Sequence, residues 1–213
     1  MSDIFREIDE ELRRDNLLKL WARYGRYLVA LAVLALLIAG GYVAWRDHQH
    51  SERLAQSARY AGAVALARAG KTADAAIVFK SVAREGGGYS VLASFDDAAL
   101  LAKSGDRKGA VAAYDQIAAS SAVDPAFRDL AILHAAMESP PGADPKATIA
   151  RLAPLTAPGD PWRPTALELT AAAKLQLGEQ KAALALYKNL ADDPATPRDL
   201  RARAAEMVAA LAP

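Results

Sequence analysis

The pattern of apolar and charged residues separates one uninterrupted apolar segment from a longer region in which apolar and polar positions alternate. The segment YLVALAVLALLIAGGYVAW, residues 27–45, carries no charge. As a helix rising about 1.5 Å per residue it would span about 28 Å, close to the bilayer hydrocarbon thickness of about 30 Å. Tyr27, Tyr42 and Trp45 lie near its ends, where amphipathic rings prefer the headgroup level. The pattern predicts a transmembrane helix from Tyr27 to Trp45 that contacts the lipid bilayer.

Two other interpretations of this segment are open, a buried core helix and a cleaved signal peptide with Ala39 and Gly41 before the cleavage point. Core helices seldom lack charge over such a length, and the acidic residues before the segment are unlike a short positive leader. We therefore expect an uncleaved anchor. The flanking Lys and Arg residues predict a cytoplasmic N-terminus and an exported C-terminal domain. They are Arg13, Arg14, Lys19, Arg23 and Arg26 before the segment and Arg46, Arg53 and Arg59 after it.

The first 26 residues read as a short helix. Ser2 is a candidate N-cap, acidic residues are concentrated near the start, and four apolar residues share a face at helical spacing. These are Ile4, Phe5, Ile8 and Leu12. The stripe is short, so this segment either contacts a partner or the lipid surface, or is a solvated tail that helps to fix the topology.

Beyond the apolar segment, one phrase occurs three times, as GKTADAAIVFKSVA, GDRKGAVAAYDQIA and GEQKAALALYKNLA. Each copy has Gly first, Ala five residues later, an aromatic residue nine later and Ala thirteen later, after an aliphatic residue. Offsets of four place these side chains on one side of a helix, and the glycine suits a tight turn before it. The positions are Gly70, Ala75, Phe79, Val82 and Ala83; Gly105, Ala110, Tyr114, Ile117 and Ala118; Gly178, Ala183, Tyr187, Leu190 and Ala191.

The glycine spacing indicates a fourth, degenerate copy. Gly70 and Gly105 are 35 residues apart, and Gly142 falls near the middle of the longer gap to Gly178. In that register Ala147 takes the alanine position and Arg151 the aromatic position. An alanine stands seven residues before each glycine, which predicts a small residue where paired helices pack closely. These alanines are Ala63, Ala98, Ala135 and Ala171.

The repeats and the Asp-Pro and Thr-Pro pairs predict paired helices followed by a capping helix. Asp124, Asp160 and Thr196 are the predicted caps, each before a proline. We expect helices at 51–69 and 72–85, 90–104 and 107–120, 125–138 and 145–153, and 161–177 and 180–191. The capping helix covers 197–211, with Arg198, Arg201 and Arg203 on its outer face. Prolines are concentrated between Pro140 and Pro164, so we expect the weakest part of the array and a bend there.

The composition excludes several classes of function. The formal net charge is +1 and the charges are mixed along the chain, so no basic surface for nucleic acid is visible. The chain has no cysteine, which excludes disulfides, thiol catalysis and thiolate metal sites. Abundant alanine and leucine favour an all-α fold.

Residues that could carry chemistry are few and scattered. His48 and His50 are two residues apart and would point in different directions on a helix, and His134 lies in an apolar helix. GGGY at 86–89 lacks the Lys-Ser/Thr of a phosphate loop and reads as a turn. The pairs Asp96-Asp97 and Asp192-Asp193 are adjacent, so their carboxylates diverge. We therefore expect no enzyme, no cofactor, no metal site and no small-molecule substrate.

A period near 35 residues with Gly, Ala and an aromatic residue at these positions resembles the tetratricopeptide repeat. The resemblance covers about residues 51–194, although the usual Trp and Tyr positions of the first helices are not filled. It implies an α-solenoid in which each helix hairpin buries its apolar face against its neighbours. The predicted repeats are 51–85, 90–120, 125–153 and 161–191, within a repeat domain at 46–213 that follows an N-terminal segment at 1–26.

The order of parts resembles the YfgM-type family of ancillary SecYEG translocon subunits and the DUF2659-like relatives with the same repeat domain. The resemblance rests on MSDIFREIDEELRRD, the apolar segment, and DPWRPTALELTAAAKLQLGEQKAALALYKNLADDP. It implies a bacterial inner-membrane protein whose periplasmic repeats contact translocon subunits and periplasmic chaperones or foldases. The family has no catalytic residues, so the resemblance assigns none to this chain. The resemblance implies an interaction scaffold that is tethered to the membrane. In a stack of helix pairs, the first helices, such as 90–104 and 161–177, would form most of the partner-binding surface. A cell-envelope assembly or division factor and a periplasmic enzyme are the alternatives.

Overall fold

The computed structural model describes the backbone of residues 2–140 and 142–212 and, within those ranges, the side chains from residue 23 onward except at positions 28 and 32. Every regular element of this part of the chain is helical, which confirms the predicted all-α fold. The helices are α1 Ser2–Arg68, α2 Thr72–Glu85, α3 Gly88–Lys103, α4 Arg107–Ala119, α5 Pro125–Met137, α6 Pro145–Leu152, a 3₁₀ helix Ala153–Thr156, α7 Arg163–Gln176, α8 Gln180–Asp192 and α9 Arg198–Leu211.

The chain divides into two compact units, residues 1–55 and residues 56–213. In the first unit the described residues belong to the part of α1 up to Ala55, which contains a stretch long and apolar enough to cross a bilayer, judged by length and composition. Leu36 and Leu37, at the middle of that stretch, are each about two-thirds exposed or more. The predicted cap Ser2 and the stripe Ile4, Phe5, Ile8 and Leu12 lie outside the described side chains.

The second unit is an array of helix pairs, and the same pattern of side chains forms each core. The first helices are residues 56–68 of α1, then α3, α5 and α7, and the second helices are α2, α4, α6 and α8. Each helix from α2 to α9 packs on the next, and α9 closes the array. The repeated alanine, aromatic and aliphatic positions are buried, which confirms the architectural role of the repeated phrase. They are Ala75, Phe79, Val82, Ala110, Tyr114, Ile117, Ala183, Tyr187 and Leu190.

The turn within three of the pairs has one geometry. Gly105 has φ +90°, its N–H donates to the Ala102 carbonyl, and the Asp106 N–H donates to the Leu101 carbonyl. The turns at Gly70 and Gly178 form the same two hydrogen bonds at the same offsets. This arrangement satisfies the carbonyls left free at a helix end, and its left-handed residue favours glycine.

The third pair departs from the predicted register. Ala147 is exposed and Arg151 is not in the core; Thr148, Leu152 and Leu155 take the alanine, aromatic and aliphatic positions, with Leu152 and Leu155 almost fully buried. Counted from the first residue of the second helix, these three stand where Ala110, Tyr114 and Ile117 stand in α4. Alignment on Gly142 was therefore wrong by one residue.

The small residue predicted where the helices of the third pair pack, Ala135, is also wrong by one position. Ala135 is buried, but it packs in the core of the preceding pair beside Tyr114 and Ile117. Ala136 packs on Leu152 and Leu155 instead. Prolines at 140 and 141 cannot continue a helix, so α5 ends one residue after this alanine, whereas α3 continues for five residues after Ala98. α6 begins only at Pro145, whereas the second helix of the other three pairs begins after a turn of three residues.

Two of the three predicted caps differ from the structure. Asp124 caps α5 as expected, because its side chain accepts a hydrogen bond from the Ala126 N–H. Asp160 instead accepts from the Trp162 N–H, and α7 begins only at Arg163, since the chain makes a turn first. Thr196 is buried and does not cap α9, whose N-cap residue is Pro197. Asp144 caps α6 through the Lys146 N–H, which the sequence analysis did not identify.

Candidate interaction surface

The first helices α3 and α5 expose a stripe of mostly apolar side chains, here called the first-helix face. Along α3 its members follow one another after three, one, three and four residues, and along α5 after seven and three, which places each set on one side of its helix. Leu92 and Phe127 are more than a third exposed and Met137 more than half. The face consists of Leu92, Phe95, Asp96, Ala99 and Lys103 of α3 with Phe127, His134 and Met137 of α5.

Ring contacts join the two helices of this face. The Phe95 ring centroid lies 6.3 Å from that of Phe127 and 5.9 Å from that of His134. His134 also stacks on Tyr114 at 5.1 Å, and Tyr114 lies 5.7 Å from Phe95. These distances are typical of favourable aromatic pairs. The face therefore rests on the buried aromatic residue of the second pair, which holds its side chains in place.

A polar contact marks the N-terminal edge of the face. The Tyr60 hydroxyl donates a 2.6 Å hydrogen bond to Asp96 Oδ2, across successive first helices. Burial, this hydrogen bond and the Asp96 charge raise the pKa of Tyr60 to about 12. Tyr60 therefore remains a neutral donor at physiological pH, and Asp96 is held on this side of α3.

The early end of α5 leaves a gap at the C-terminal edge of the face. A cavity of about 360 Å³ lies between α5 and α7, with Met137, Leu169 and Ala172 among its lining residues. A smaller opening of about 230 Å³ lies between the first helices α1 and α3, with Val64, Asp96 and Lys103 among its lining residues. The gap between α5 and α7 adjoins Met137 of the first-helix face, and its lining is both apolar and polar, with Ser139 and Thr148 among the polar residues.

The face has the chemistry of a protein-binding surface. Aromatic and Met side chains are enriched where proteins bind one another, and such residues give contact area when a partner covers them. The charges of Asp96 and Lys103 are at its edge on α3. The face can therefore bury apolar side chains of a partner and select among partners by charge.

Because His134 is partly buried in this face, we predict that the stability of the repeat array depends on pH. Burial lowers the pKa of His134, and the nearby Glu138 charge opposes that shift. A base whose pKa is lower when folded binds protons more readily when unfolded, so stability should fall as the pH drops through about 6.5. We expect His134→Phe, which keeps a ring against Tyr114, to lose less stability than the parent chain between about pH 8 and about pH 5. Thermal melts at both pH values measure this, and equal losses would contradict it.

The structure keeps apart the other residues that the sequence singled out. His48 and His50 are exposed on α1. Asp96 bonds to Tyr60 whereas Asp97 lines a separate cavity, as the prediction of diverging carboxylates requires. Asp192 ends α8, and Asp193 accepts from the Ala195 N–H. Within the described ranges, no three His, Cys, Asp or Glu residues are placed to hold a metal ion. The turn predicted at 86–89 is shorter in the structure: Gly86 at φ +74° and Gly87 at φ +82° link α2 to α3, whereas Gly88 and Tyr89 are the first residues of α3.

Ion pairs link successive helix pairs. Arg151 forms a bidentate ion pair with Asp115 of the preceding pair. Arg203 donates to both oxygens of Glu168 on α7, at 2.9 and 3.0 Å. The prediction put Arg203 on the outer face of the capping helix; it remains more than half exposed but is directed to α7. Exposed ion pairs of this kind contribute little to stability. We therefore expect that they mainly fix how successive helix pairs are aligned with each other.

Sequence reasoning did not identify Leu92, Phe127 or Met137 as surface residues. The sequence of α3, GYSVLASFDDAALLAK, does indicate that apolar residues lie on more than one side of this helix. A helix that is apolar around most of its circumference is either fully buried or exposes apolar surface to a partner. Only the structure distinguishes these cases, by showing which side other helices cover.

Residues 19–159 match the model of the family described as the tetratricopeptide repeat-like domain, over about two-thirds of the chain. The match includes the apolar segment and the first three helix pairs, whereas α7, α8 and α9 follow it. No curated protein matches the sequence.

Proposed function

We propose that this chain, which belongs to the tetratricopeptide repeat-like domain family, is a non-catalytic scaffold that binds proteins and is anchored in a membrane. Domains of this kind mediate protein–protein interaction. The observation that carries the proposal is the partly exposed apolar surface of Leu92, Phe127 and Met137, which adjoins the ordered ring cluster at Phe95. The expected ligand is a protein segment with apolar side chains at helical or extended spacing.

The anchor is residues 27–45 of α1, in contact with lipid. Several side chains of this segment are more than half exposed, including Leu36 and Leu37, which is favourable in hydrocarbon and costly in water. Tyr42 and Trp45, with ring centroids 6.3 Å apart, are suited to one headgroup boundary. Membrane anchoring confines the first-helix face to the volume near the bilayer and raises its effective concentration for membrane partners.

The flanking charges and the resemblance to ancillary translocon subunits support a bacterial inner-membrane location with a periplasmic repeat domain. We propose translocon subunits and periplasmic chaperones or foldases as its partners. Native co-purification with mass spectrometry tests this. Recovery of translocon subunits is expected, and recovery of cell-envelope assembly or division proteins in their place would favour that alternative function.

A matched pair of variants connects the partner to the face. Leu92→Ser with Met137→Ser removes apolar surface from two exposed positions of the first-helix face. Ile77→Ser, at an exposed position of α2, is the control. We expect partner recovery to fall in the double variant and to persist in the control. Loss in the control alone would contradict the assignment of the binding surface.

The orientation has its own test. A reporter that is active only in the exported compartment, fused after Pro213, is expected to be active because the flanking charges place the C-terminus there. Activity of a cytoplasm-only reporter at the same position would reverse the proposed topology.

A further inference from the structure

A second cavity lies on the opposite side of α3 from the first-helix face. It has a volume of about 820 Å³ and is bounded by α2, α3 and α4. Ser90, Ser94 and Asp97 of α3 line it at helical intervals of four and three residues, whereas Leu92 and Asp96 belong to the first-helix face. Ligand sites usually have volumes of about 300–1,000 Å³, so this cavity is large enough to hold side chains of a partner protein.

Two cations of α2 form one wall of this cavity. Lys80 and Arg84 are four residues apart, which places them on the same side of that helix. Among the lining residues that the structure describes, Asp97 is the single acidic one, so two cations stand against one carboxylate. Lys80 and Arg84 are exposed, whereas Asp97 is half-buried with its Oδ1 atom shielded from solvent. The accessible charge of the cavity is therefore positive.

No ion pair within the described ranges neutralises these two cations. Lys80 and Arg84 lie beyond ion-pair distance of every carboxylate there, whereas Arg151 and Arg203 each bind a carboxylate of another helix. Burial raises the pKa of the Asp97 carboxyl, and the Lys80 charge opposes that shift, so Lys80 acts on Asp97 without pairing with it. The α2 wall can therefore offer both charges to an anionic group of a partner.

The α4 wall adds hydrogen-bond donors and apolar surface. The Gln116 amide and the Ser120 hydroxyl line the cavity and form no side-chain hydrogen bond within the part of the chain that the structure describes. Both groups can therefore donate to a ligand. Apolar side chains cover the surface between the two polar walls, and these include Val91, Ile117 and Val123.

The glycine turn at 86–87 holds the rim of the cavity. Gly86 and Gly87 line the cavity and have positive φ, which a residue with a side chain rarely adopts. Gln56 Nε2 donates to the Gly86 carbonyl at 3.1 Å, and the Ser90 hydroxyl donates to the Gly87 carbonyl at 2.8 Å. These contacts fix the rim, so the cavity has its shape before a ligand binds.

We infer that this cavity binds an acidic segment of a partner protein. A Glu or Asp carboxylate of the segment accepts from Lys80 and Arg84, and a neighbouring apolar side chain packs on Val91 and Ile117. An ionised carboxylate is an acceptor only, which complements walls that supply two cations and two free donors. The apolar surface favours a protein segment over an anionic lipid headgroup, because a lipid in the bilayer keeps its acyl chains there.

This site goes beyond the proposed function because it lies on a different side of α3. A partner on the first-helix face would leave the cavity accessible, so two proteins could be held at once. Binding of an acidic segment also does not depend on which protein occupies the first-helix face.

The test is an NMR titration of the full-length chain in micelles of a non-ionic detergent with the peptide acetyl-Leu-Glu-Glu-Leu-amide. We expect saturable shifts of the Gly87, Val91 and Ser120 amides. The peptide acetyl-Leu-Gln-Gln-Leu-amide has nearly the same shape without the charge and should bind about tenfold more weakly or not at all. Equal saturable binding of the two peptides, or no saturable shift with either, would overturn the inference.

A matched pair of double variants locates the binding site. Lys80→Gln with Arg84→Gln should weaken binding of the acidic peptide about tenfold, and the variant should fold because both side chains are exposed and unpaired. Lys146→Gln with Lys188→Gln removes the same charge from exposed positions of α6 and α8 outside the cavity and should bind as the parent chain does. Unchanged binding in the first variant, or equal weakening in both, would reject the site.

Two further titrations separate this inference from other outcomes. The variant Leu92→Ser with Met137→Ser should bind the acidic peptide as the parent chain does, so failure of the first-helix face as a binding surface leaves this result unchanged. Phosphatidylglycerol added to the micelles should not shift the Gly87, Val91 and Ser120 amides. If the lipid shifts these amides and the acidic peptide does not, the cavity binds a headgroup and the inference is wrong.

Discussion

Replacing Tyr114 with alanine is expected to destabilise the repeat array by about 3 kcal/mol. Tyr114 is 3% exposed and contacts the rings of Phe95 and His134, so its removal leaves a cavity between the second and third pairs. Each pair in such an array contacts only its neighbours, so the loss should concentrate in these two pairs. Urea or thermal unfolding of the full chain in micelles, followed by circular dichroism, measures the change.

The control for this substitution is Ile77→Ala. Ile77 also belongs to a second helix but is 69% exposed, so its truncation should change stability by less than about 0.5 kcal/mol. A small effect at Tyr114, or similar effects at both positions, would show that the repeated aromatic residue does not fill an interface between pairs.

The double substitution Leu36→Arg with Leu37→Arg is expected to remove the chain from the membrane fraction. Each arginine near the centre of a transmembrane helix costs about 3 kcal/mol on insertion scales, so two should reverse a favourable insertion. Both leucines lie at the middle of residues 27–45. Separation of membranes from soluble protein, with detection of the chain in each fraction, measures the outcome.

Ser51→Arg with Leu54→Arg is the matched control, because it adds the same charge on exposed positions of α1 beyond the apolar segment. This control should stay with the membrane. Retention of the Leu36 and Leu37 variant in the membrane fraction would argue that residues 27–45 do not form the anchor.

The local features of the fold could be predicted because they depend on residues close in sequence. A left-handed turn needs glycine at Gly70, Gly105 and Gly178, and alanine–aromatic spacing marks the buried side of each following helix. For α2 to α9 these determinants give predicted bounds within about two residues of those in the structure, whereas the helix predicted at 51–69 is the end of α1, which begins at Ser2. The register of the third pair could not be obtained in this way. Gly142 matched the glycine period, but packing of Ala136 on Leu152 sets the register, and that contact is not local.

The surface features were harder to predict for the same reason. The sequence showed that Asp96 and Asp97 diverge, but not that one would meet Tyr60 and the other a cavity. Likewise, Leu92 and Phe127 have the composition of core residues, and only the placement of neighbouring helices leaves them exposed. Sequence periodicity predicts which residues share a face, whereas long-range packing decides which faces are covered.

Site-specific photo-crosslinking in native membranes tests the central claim most directly. A photoreactive residue is placed in turn at Leu92, at Phe127 and at Ile77, all exposed by more than a third of their surface. If the first helices form the protein-binding surface, positions 92 and 127 give crosslinked protein adducts and position 77 gives few or none. Adducts at position 77 without adducts at 92 and 127 would contradict the account.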